Sequence, residues 1–331
     1  MGVVLRELEV VADRIVRVCA CVSRDDVVCV VTDTNKTRIA EALASASRKV
    51  AKETITVVMN PRRRHSEELP SVVSAAMQEA TVILAPTTYA ITHTEGFRAA
   101  LKKGARGIIL RGVDEDMMLH GAINADYGQI RVNSEVLKTA LENSSTVRIA
   151  SEYGTDMSLS VEGRPVFTLV GIACDPGSFA AMPDGEVPLS PVQGSANGVM
   201  VFDHTIDGVG LLKEPVRNVV RDGRVVEISG GEDAERFRQL LAGAGECAYN
   251  IAEFAVGTNP RARIIGNMAE DKKKEGSIHI AVGDSRTLSG DVFCDLHLDG
   301  LMLKPTLYLD DVKICENGVI DWGAVRRKAK K

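Results

Sequence analysis

Residues 277–284, SIHIAVGD, place a histidine inside an otherwise apolar run, which predicts a buried strand. After a short polar loop, residues 295–300 continue as DLHLDG. In a strand the side chains of residues i and i+2 point to the same face, so His297 and Asp299 would present an imidazole and a carboxylate to one small volume. His279 could supply a third ligand from a neighbouring strand. The two stretches therefore predict a site for one or two metal ions on a β-sheet.

Length and composition indicate a globular protein of two domains. The chain has 331 residues, 45% of them apolar and 26% charged, with a net charge of -5 at pH 7. This balance lacks the basic surface that is typical of nucleic-acid-binding proteins. The basic clusters at 62–64, 272–274 and 326–331 are short and scattered, so we predict solvated loops and a frayed tail, and no nucleic-acid partner.

The sequence also predicts a cytoplasmic protein without a membrane span. No run of 18 apolar residues occurs, and the acidic Glu7 and Glu9 near the start are not typical of a secretory leader. The seven cysteines are odd in number and contain no CxxC pair, which favours reduced thiols. We expect Cys294, three residues before His297, to be structural.

The first 150 residues alternate between strand and helix patterns, which predicts an α/β domain with an open, mainly parallel sheet. Predicted strands are 27–31, 54–59, 81–85, 107–110 and 147–150, and predicted helices are 35–49, 70–79, 93–103 and 134–142. Asp33, Thr34 and Ser134 are candidate helix caps. Neither GxGxxG nor GxxxxGK[ST] occurs, so no nucleotide site is expected.

His93 is a candidate substrate-binding residue of this first domain. It follows the predicted strand 81–85, at the sheet edge where open α/β sheets usually bind ligands. A helix-capping or solvent-facing histidine is the alternative interpretation.

From about Tyr153 the pattern changes to short strands and turns, which predicts a mostly β, α+β domain with helices at 234–242 and around 247–254. We place the boundary near residue 150, with an α/β domain at 1–150 and a β-rich, metal-binding catalytic domain at 151–331.

Two glutamates of the second domain are further candidate ligands. Glu186 follows a Pro-Asp-Gly turn that fixes the backbone before it, and Glu253 lies in an otherwise apolar run. A buried carboxylate needs a cation, and a metal ion is one remedy. For either glutamate alone, a salt bridge or solvent exposure explains the pattern equally well.

The second half contains six motifs in order: residues 152–156, 183–187, 253–260, 270–272, 279–283 and 297–299. Together they resemble the metal-dependent aminopeptidase T family, the thermophilic leucyl aminopeptidases. The resemblance implies an α/β N-terminal domain, a homodimer and two metal ions, with Glu186 and Glu253 as the candidate catalytic carboxylates. The residues that it implies as metal ligands are Glu186, Glu253, His279, His297 and Asp299.

Two departures from that family concern the loop between the last two motifs. The family has a tyrosine seven residues after the histidine of HxAxG, where this chain has Arg286, and the loop 283–296 is shorter than in the peptidases. Arg286 is therefore a candidate for binding a substrate carboxylate, since a guanidinium can pair with it through two hydrogen bonds. A loop arginine that points into water is the alternative.

A second branch of the same superfamily contains 2,5-dihydroxypyridine 5,6-dioxygenase, a ring-cleaving enzyme that uses one Fe(II) held by two histidines and an aspartate. His279, His297 and Asp299 would form that triad here. Glu253 would then contact the ligands without binding the iron itself, and His93 or His204 would act as the base that takes a proton from the substrate. That branch has a histidine in place of Glu253, so the retained glutamates favour a hydrolase.

Three functions thus follow from the sequence. The main prediction is a metal-dependent hydrolase that cleaves a small peptide or amide with a metal-activated water, using Zn, Co or Mn. The alternative is a dioxygenase of a small-molecule substrate with one Fe(II). A binding protein that has lost catalysis is the third, and the complete set of ligands argues against it.

Overall fold

The computed structural model describes the backbone of residues 2–330 and the side chains of residues 6–330. Contacts divide the chain into two compact units, Met1–Gly128 with Val170–Asp184, and Gln129–Leu169 with Gly185–Lys331. The single boundary predicted near residue 150 does not coincide with this division. The chain leaves the first unit earlier and returns to it, because the returning segment contributes a strand to that unit's sheet.

The first unit contains alternating helices and strands. The helices are α1 (Gly2–Arg14), α2 (Thr37–Arg48), α3 (Ser71–Gln78), α4 (Glu95–Lys102) and α5 (Glu115–His120), with a π-helical turn at Ile15–Cys19 and a 3-10 turn at Ala122–Asn124. The strands are β1 (Val27–Asp33), β2 (Glu53–Met59), β3 (Val82–Thr87), β4 (Arg106–Arg111) and, in the returning segment, β7 (Phe179–Ala181).

These strands form a parallel sheet in the order β2-β1-β3-β4-β7, which confirms the predicted open α/β domain. Strands β1 and β3 are almost wholly buried, as continuous apolar runs of a sheet covered by helices should be. The prediction was wrong for 147–150. That segment pairs antiparallel with its neighbours in the second unit, a pairing that a short apolar run does not specify.

The predicted helix caps were also wrong. The backbone N–H groups of Asn35 and Thr88 donate to the carboxylate of Asp33, which therefore ties two loops together, and α2 begins after Lys36. Ser134 lies within α6 (Tyr127–Glu142), where its hydroxyl is 2.8 Å from Thr258 Oγ1. Polar side chains bond to loops and neighbouring strands as readily as to helix ends.

The second unit is built mainly from strands. They are β5 (Thr146–Ala150), β6 (Asp156–Ser160), β8 (Glu186–Leu189), β9 (Asn197–Phe202), β10 (Thr205–Ile206), β11 (Gly210–Leu211), β12 (Val216–Arg221), β13 (Arg224–Ser229), β14 (Ile251–Gly257), β15 (Ile278–Gly283), β16 (His297–Met302), β17 (Thr306–Leu309), β18 (Val312–Glu316) and β19 (Val319–Ile320). Its remaining helices are α7 (Gly231–Ala244), α8 (Met268–Asp271) and α9 (Trp322–Ala329), with 3-10 turns at Glu246–Tyr249 and Arg286–Leu288.

Two antiparallel sheets organise this unit, one in the order β11-β10-β16-β15-β14-β8 and one in the order β13-β12-β9-β6-β5-β17-β18-β19. A single apolar core includes residues from both sheets and from α7, among them Phe202 and Phe237, whose rings meet edge to face at 6.0 Å. The predicted α+β class is confirmed. The helix predicted around 247–254 was wrong, because β14 begins at Ile251 and is buried throughout.

One expectation about side chains was overturned. The structure pairs Cys21 with Cys174 and Cys247 with Cys294, where reduced thiols were expected. Both pairs join segments far apart in sequence, which cysteine spacing alone does not predict. Cys294 is buried and structural, as expected. No helix among residues 2–330 is both long and apolar enough to cross a membrane.

Candidate metal centre

Four neighbouring strands place the five predicted ligands on one face of the six-stranded sheet. Glu253 of β14 lies opposite Ala281 of β15, and Ala281 lies opposite Asp299 of β16. His279 and His297 stand two residues from that row on their own strands, so their side chains share its face. On the other side of β14, Glu186 of β8 lies opposite Gly257, which completes the set.

A register irregularity in β14 contributes to this arrangement. Ile251 pairs with Val282 and Glu253 pairs with Ala281, so β14 advances two residues where β15 advances one. Such a bulge re-aims the side chains that follow it. It brings Glu253 onto the face that carries the histidines, at a position that simple alternation along the chain does not identify.

Small residues occupy the positions of the sheet between the five ligands. Ala255 and Gly257 of β14 and Ala281 and Gly283 of β15 occupy the remaining central positions of this face, and all four are buried. The motif HxAxG is therefore one face of β15, with a histidine followed by two small residues, and a Cβ on Gly283 would lie 2.1 Å from the carbonyl oxygen of Leu296.

The donor atoms fall into two groups that share one carboxylate. Glu186, Glu253 and His279 form the first group, and Glu253, His297 and Asp299 form the second, with the donor atoms of each group within 4.8 Å of one another. Glu253 Oε1 lies 3.2 Å from His279 Nε2, and Glu253 Oε2 lies 3.2 Å from His297 Nε2. Each oxygen of Glu253 thus faces a different histidine.

The donor set fits a divalent metal. Glu186 Oε2 and Asp299 Oδ1 are buried and have no hydrogen-bond partner in the described part of the chain. Burying an unpaired carboxylate oxygen is costly, and coordination to a metal would satisfy it. Mixed imidazole and carboxylate donors suit Zn, Mn, Co and Fe alike, so the residues fit the ion class that the sequence predicted without selecting a member.

A hydrogen bond outside the cluster orients His297. Its Nδ1–H donates to the backbone carbonyl of Asp284 at 2.7 Å, which leaves Nε2 to face Glu253 and Asp299. Metal-binding histidines characteristically donate their second ring nitrogen in this way. His297 is the exposed member of the group, so the centre is open to solvent on its side.

The electrostatics of the cluster keep its carboxylates ionised. Burial raises the pKa of Glu253, but hydrogen bonds from His279 and His297 outweigh it and hold the pKa at about 2. Burial likewise lowers the pKa of His297, while Asp299 and Glu253 outweigh it and raise the pKa to about 11. Against the effect of burial, Lys272 holds the pKa of Asp299 well below its usual range.

Two lysines stand at this centre, although the sequence predicted a solvated loop for residues 272–274. Lys272 Nζ lies 2.8 Å from Asp299 Oδ2, and Lys273 Nζ lies 2.7 Å from Glu186 Oε1. Lys273 is only 6% exposed. The solvated-loop prediction was therefore wrong for this cluster, because a run of like charge does not reveal the carboxylates that fold against it. The motif at residues 270–272, EDK, already contained the first lysine of this pair, Lys272.

The acids that precede these lysines bind other parts of the unit. Glu270 accepts hydrogen bonds from the backbone N–H and the side chain of Arg263, and Asp271 accepts from Thr205 Oγ1 and from the backbone of Ile265. His204 Nε2 lies 3.8 Å from Asp271 Oδ2. The two acids thus tie α8 to the loop of Arg263 and Ile265 and to β10.

The two candidate substrate-binding residues lie in different units. Arg286 is in the second unit, where its guanidinium is 2.8 Å from Asp284 Oδ2 and stacks 4.0 Å from the ring centroid of Phe293. The carbonyl of the same Asp284 orients His297. His93 is in the first unit, exposed, with Nδ1 3.3 Å from an Arg98 nitrogen, while Thr94 caps α4. Both roles in substrate binding stay predictions.

The buried donor set makes this a candidate site for a divalent metal, and the family comparison identifies an enzyme. The chain belongs to the family described as NicX: 2,5-dihydroxypyridine 5,6-dioxygenase, whose model matches residues 8–321. A curated relative, the 2,5-dihydroxypyridine 5,6-dioxygenase of Pseudomonas putida KT2440, is 25% identical over 242 residues, which cover 68% of this chain and 67% of the relative.

Solved structures of both branches share the fold. A 2,5-dihydroxypyridine dioxygenase from Pseudomonas putida KT2440 superposes with a TM-score of 0.79 at 19% identity, covering 96% of this chain and 97% of the other. AmpT from Thermus thermophilus superposes with a TM-score of 0.70 at 16% identity, covering 96% and 99%. The superfamily inferred from the six motifs is confirmed. At these identities the structures establish the fold and leave the reaction to be tested.

Proposed function

We propose that this chain is a metal-dependent hydrolase that binds two divalent ions and cleaves the C–N bond of a small peptide or amide. The observation that carries the proposal is the shared carboxylate. Glu253 directs one oxygen to the group with Glu186 and His279 and the other to the group with His297 and Asp299. A carboxylate between two such groups is the arrangement that a two-ion site needs.

The roles of the residues follow from their positions. Glu186 and His279 would hold one ion, His297 and Asp299 the other, and Glu253 both. Two bound ions would supply a Lewis acid for the substrate carbonyl and lower the pKa of a water molecule. The open side at His297 would admit the substrate, and the carbonyl of Asp284 would keep the imidazole in the orientation that binding requires.

A second candidate, the ring-cleaving dioxygenase with one Fe(II), is favoured by the comparisons. The family model and the curated relative are both described by that activity, so similarity supports it better than it supports the hydrolase. The donor geometry supports it less well. Among residues 6–330, the group that contains His297 and Asp299 has Glu253 as its third member, and His279 belongs to the other group. A single iron could be held by the group of Glu253, His297 and Asp299.

Metal content and substrate oxidation separate the two candidates. We would purify the protein anaerobically without chelator, measure its metals, and assay it with small peptides and amides and, in parallel, with 2,5-dihydroxypyridine while recording oxygen uptake. About two Zn, Co or Mn per chain with amide cleavage is expected. About one Fe(II) per chain with stoichiometric oxygen uptake would overturn the hydrolase and establish the dioxygenase. The homodimer and the cytoplasmic location remain predictions beside these.

A further inference from the structure

Each terminal carboxylate of the metal centre is held by a different lysine in the same way. Lys273 Nζ binds Glu186 Oε1 at 2.7 Å, while Glu186 Oε2 lies 3.5 Å from His279 Nε2. Lys272 Nζ binds Asp299 Oδ2 at 2.8 Å, while Asp299 Oδ1 lies 3.5 Å from His297 Nε2. The oxygen that each lysine leaves free is the one without a hydrogen-bond partner in the described part of the chain.

The backbone around the two lysines is held by close packing. A Cβ on Gly257 would lie 2.9 Å from the carbonyl oxygen of Lys272 and 2.1 Å from that of Lys274, so the turn fits directly against the end of β14. The backbone N–H of Asn259 donates to the carbonyl of Lys273, and the N–H of Glu275 donates to the carbonyl of Asn259. The ammonium groups thus project from a fixed turn.

The charge of the buried carboxylates does not by itself call for lysines at a metal centre, because bound divalent ions would neutralise it. A divalent ion would lie close to both ammonium groups, and like charges repel most strongly in a buried site. Burying a lysine also has a desolvation cost, which only a close partner offsets. What the lysines provide is geometry, since each occupies the oxygen that points away from the donor cluster and directs the other oxygen into it.

We propose that Lys272 and Lys273 are positioning residues of the metal centre, each fixing one terminal carboxylate so that a single oxygen faces the ion. The inference rests on the proposed two-ion centre. The two lysines would act on different ions. Lys273 would position a ligand of the ion held by Glu186 and His279, and Lys272 would position a ligand of the ion held by His297 and Asp299. Lys272 also lies 3.8 Å from Glu186 Oε1, so its effect extends weakly to the first ion.

Removal of either lysine distinguishes positioning from charge by the sign of its effect. If the lysines acted only through their charge, Lys272→Met and Lys273→Met would bind metal more tightly, because a repulsive cation is gone. If they position the carboxylates, each substitution weakens one of the two ions. Loss of such supporting contacts typically lowers metal affinity by about 10- to 100-fold, so we expect at least about a tenfold rise in one dissociation constant.

The experiment is a titration of the chelator-treated protein with Co(II), followed by calorimetry and by the visible absorption of the bound ion. Wild type is compared with Lys272→Met, Lys273→Met and the matched control Lys274→Met, for whose ammonium no contact with the five donors is seen. We expect wild type and the control to bind two ions alike, and each test variant to retain one tight ion and lose affinity for the other, with a different Co(II) spectrum for each.

Unchanged or tighter binding of both ions in the two variants would overturn the role of the lysines and leave the two-ion centre intact. A wild type that binds fewer than two ions would instead overturn the proposed function itself. Because methionine can destabilise a buried polar site, Lys272→Gln and Lys273→Gln give a second comparison, in which an amide still donates a hydrogen bond. Their affinities are expected between those of wild type and the methionine variants.

Discussion

Among single residues, Glu253 is the donor that both groups share. Each of its oxygens faces a histidine, and its side chain is buried. Replacing it by glutamine keeps the shape but removes the charge and one acceptor. We expect Glu253→Gln to reduce the metal content from about two ions per chain to less than one, since both donor groups lose a shared ligand. Metal analysis after dialysis measures this directly.

Glu162→Gln is the matched control, because Glu162 is exposed and belongs to neither donor group. Its metal content should equal that of wild type. A Glu253→Gln protein that keeps one tightly bound ion would show that only one group needs this carboxylate, and would remove the main support for a shared ligand.

Asp203 provides a test of buried charge away from the five donors. Burial raises the pKa of its carboxyl to about 6, one oxygen accepts from the backbone of Leu303, and the other is buried without a hydrogen-bond partner among residues 6–330. The folded-state pKa lies above the unfolded value of 3.8. Ionisation therefore disfavours the folded state, and stability is lost as the pH rises from about 4 to about 6.

We expect Asp203→Asn to equal wild type in stability near pH 4 and to be more stable at pH 7 by roughly 1–3 kcal/mol, because the amide removes the charge and retains an acceptor for Leu303. Urea unfolding of both proteins at the two pH values measures the difference. Equal stabilities at pH 7 would mean that the carboxylate is solvated or paired when ionised.

At the level of secondary-structure elements, the contact between β14 and the lysine turn depends on Gly257. Any larger residue would place its Cβ 2.1 Å from the carbonyl oxygen of Lys274. We expect Gly257→Ala to displace the turn, destabilise the protein by about 2 kcal/mol, and weaken metal binding through Lys272 and Lys273. Denaturant unfolding and metal titration check the two effects.

Gly243→Ala in α7 is the control, because a Cβ at Gly243 meets nothing within 4 Å. There alanine should be neutral or stabilising, as is usual for a helix interior. If Gly257→Ala destabilised the protein but bound metal normally, the turn would be structural only.

The loop between β15 and β16 is linked to the 3-10 turn at Glu246–Tyr249 by the disulfide of Cys247 and Cys294, and it carries the carbonyl that orients His297. The backbone N–H of Cys294 also donates to the carboxylate of Asp284. We expect Cys294→Ser to lower the free energy of unfolding by about 4 kcal/mol, the loop-entropy value for a sequence separation of 47. Chemical denaturation with and without reductant measures it.

With reductant present, wild type and the Cys294→Ser variant should have the same free energy of unfolding, because neither then has the pair of Cys247 and Cys294. The difference in stability should appear only under oxidising conditions. Quantifying thiols in the denatured protein provides the direct check. Seven free thiols in protein isolated without reductant would contradict the pairing and restore the expectation of reduced cysteines.

For the whole molecule, metal binding should stabilise one unit more than the other, because all five donors and both lysines belong to the second unit. At a free metal concentration of 100 times the dissociation constant, one ion contributes about 2.7 kcal/mol. Calorimetric scans with chelator and with added metal should show a rise of several degrees in the transition of the second unit. A metal-free scan identical to the loaded one would contradict the centre.

Much of the candidate site follows from local pattern. The alternation of side chains in a strand places His297 with Asp299, and His279 with Ala281 and Gly283, and the motif resemblance adds Glu186 and Glu253. The alternating helix and strand patterns of the first domain also identify a parallel sheet correctly. These features depend on residues close together in sequence, and their spacing is visible without the fold.

Only the tertiary structure decided which residues meet. It placed residues 147–150 in an antiparallel sheet, returned residues 170–184 to the first unit, and buried Lys272 and Lys273 against Glu186 and Asp299. The sequence by itself identified the candidate donors, and strand alternation placed His297 and Asp299 on one face. The bulge that brings Glu253 onto that face is a feature of the fold. The pairing of strands, and the burial that turns a run of lysines into partners of carboxylates, depend on contacts between distant segments, which local periodicity does not encode.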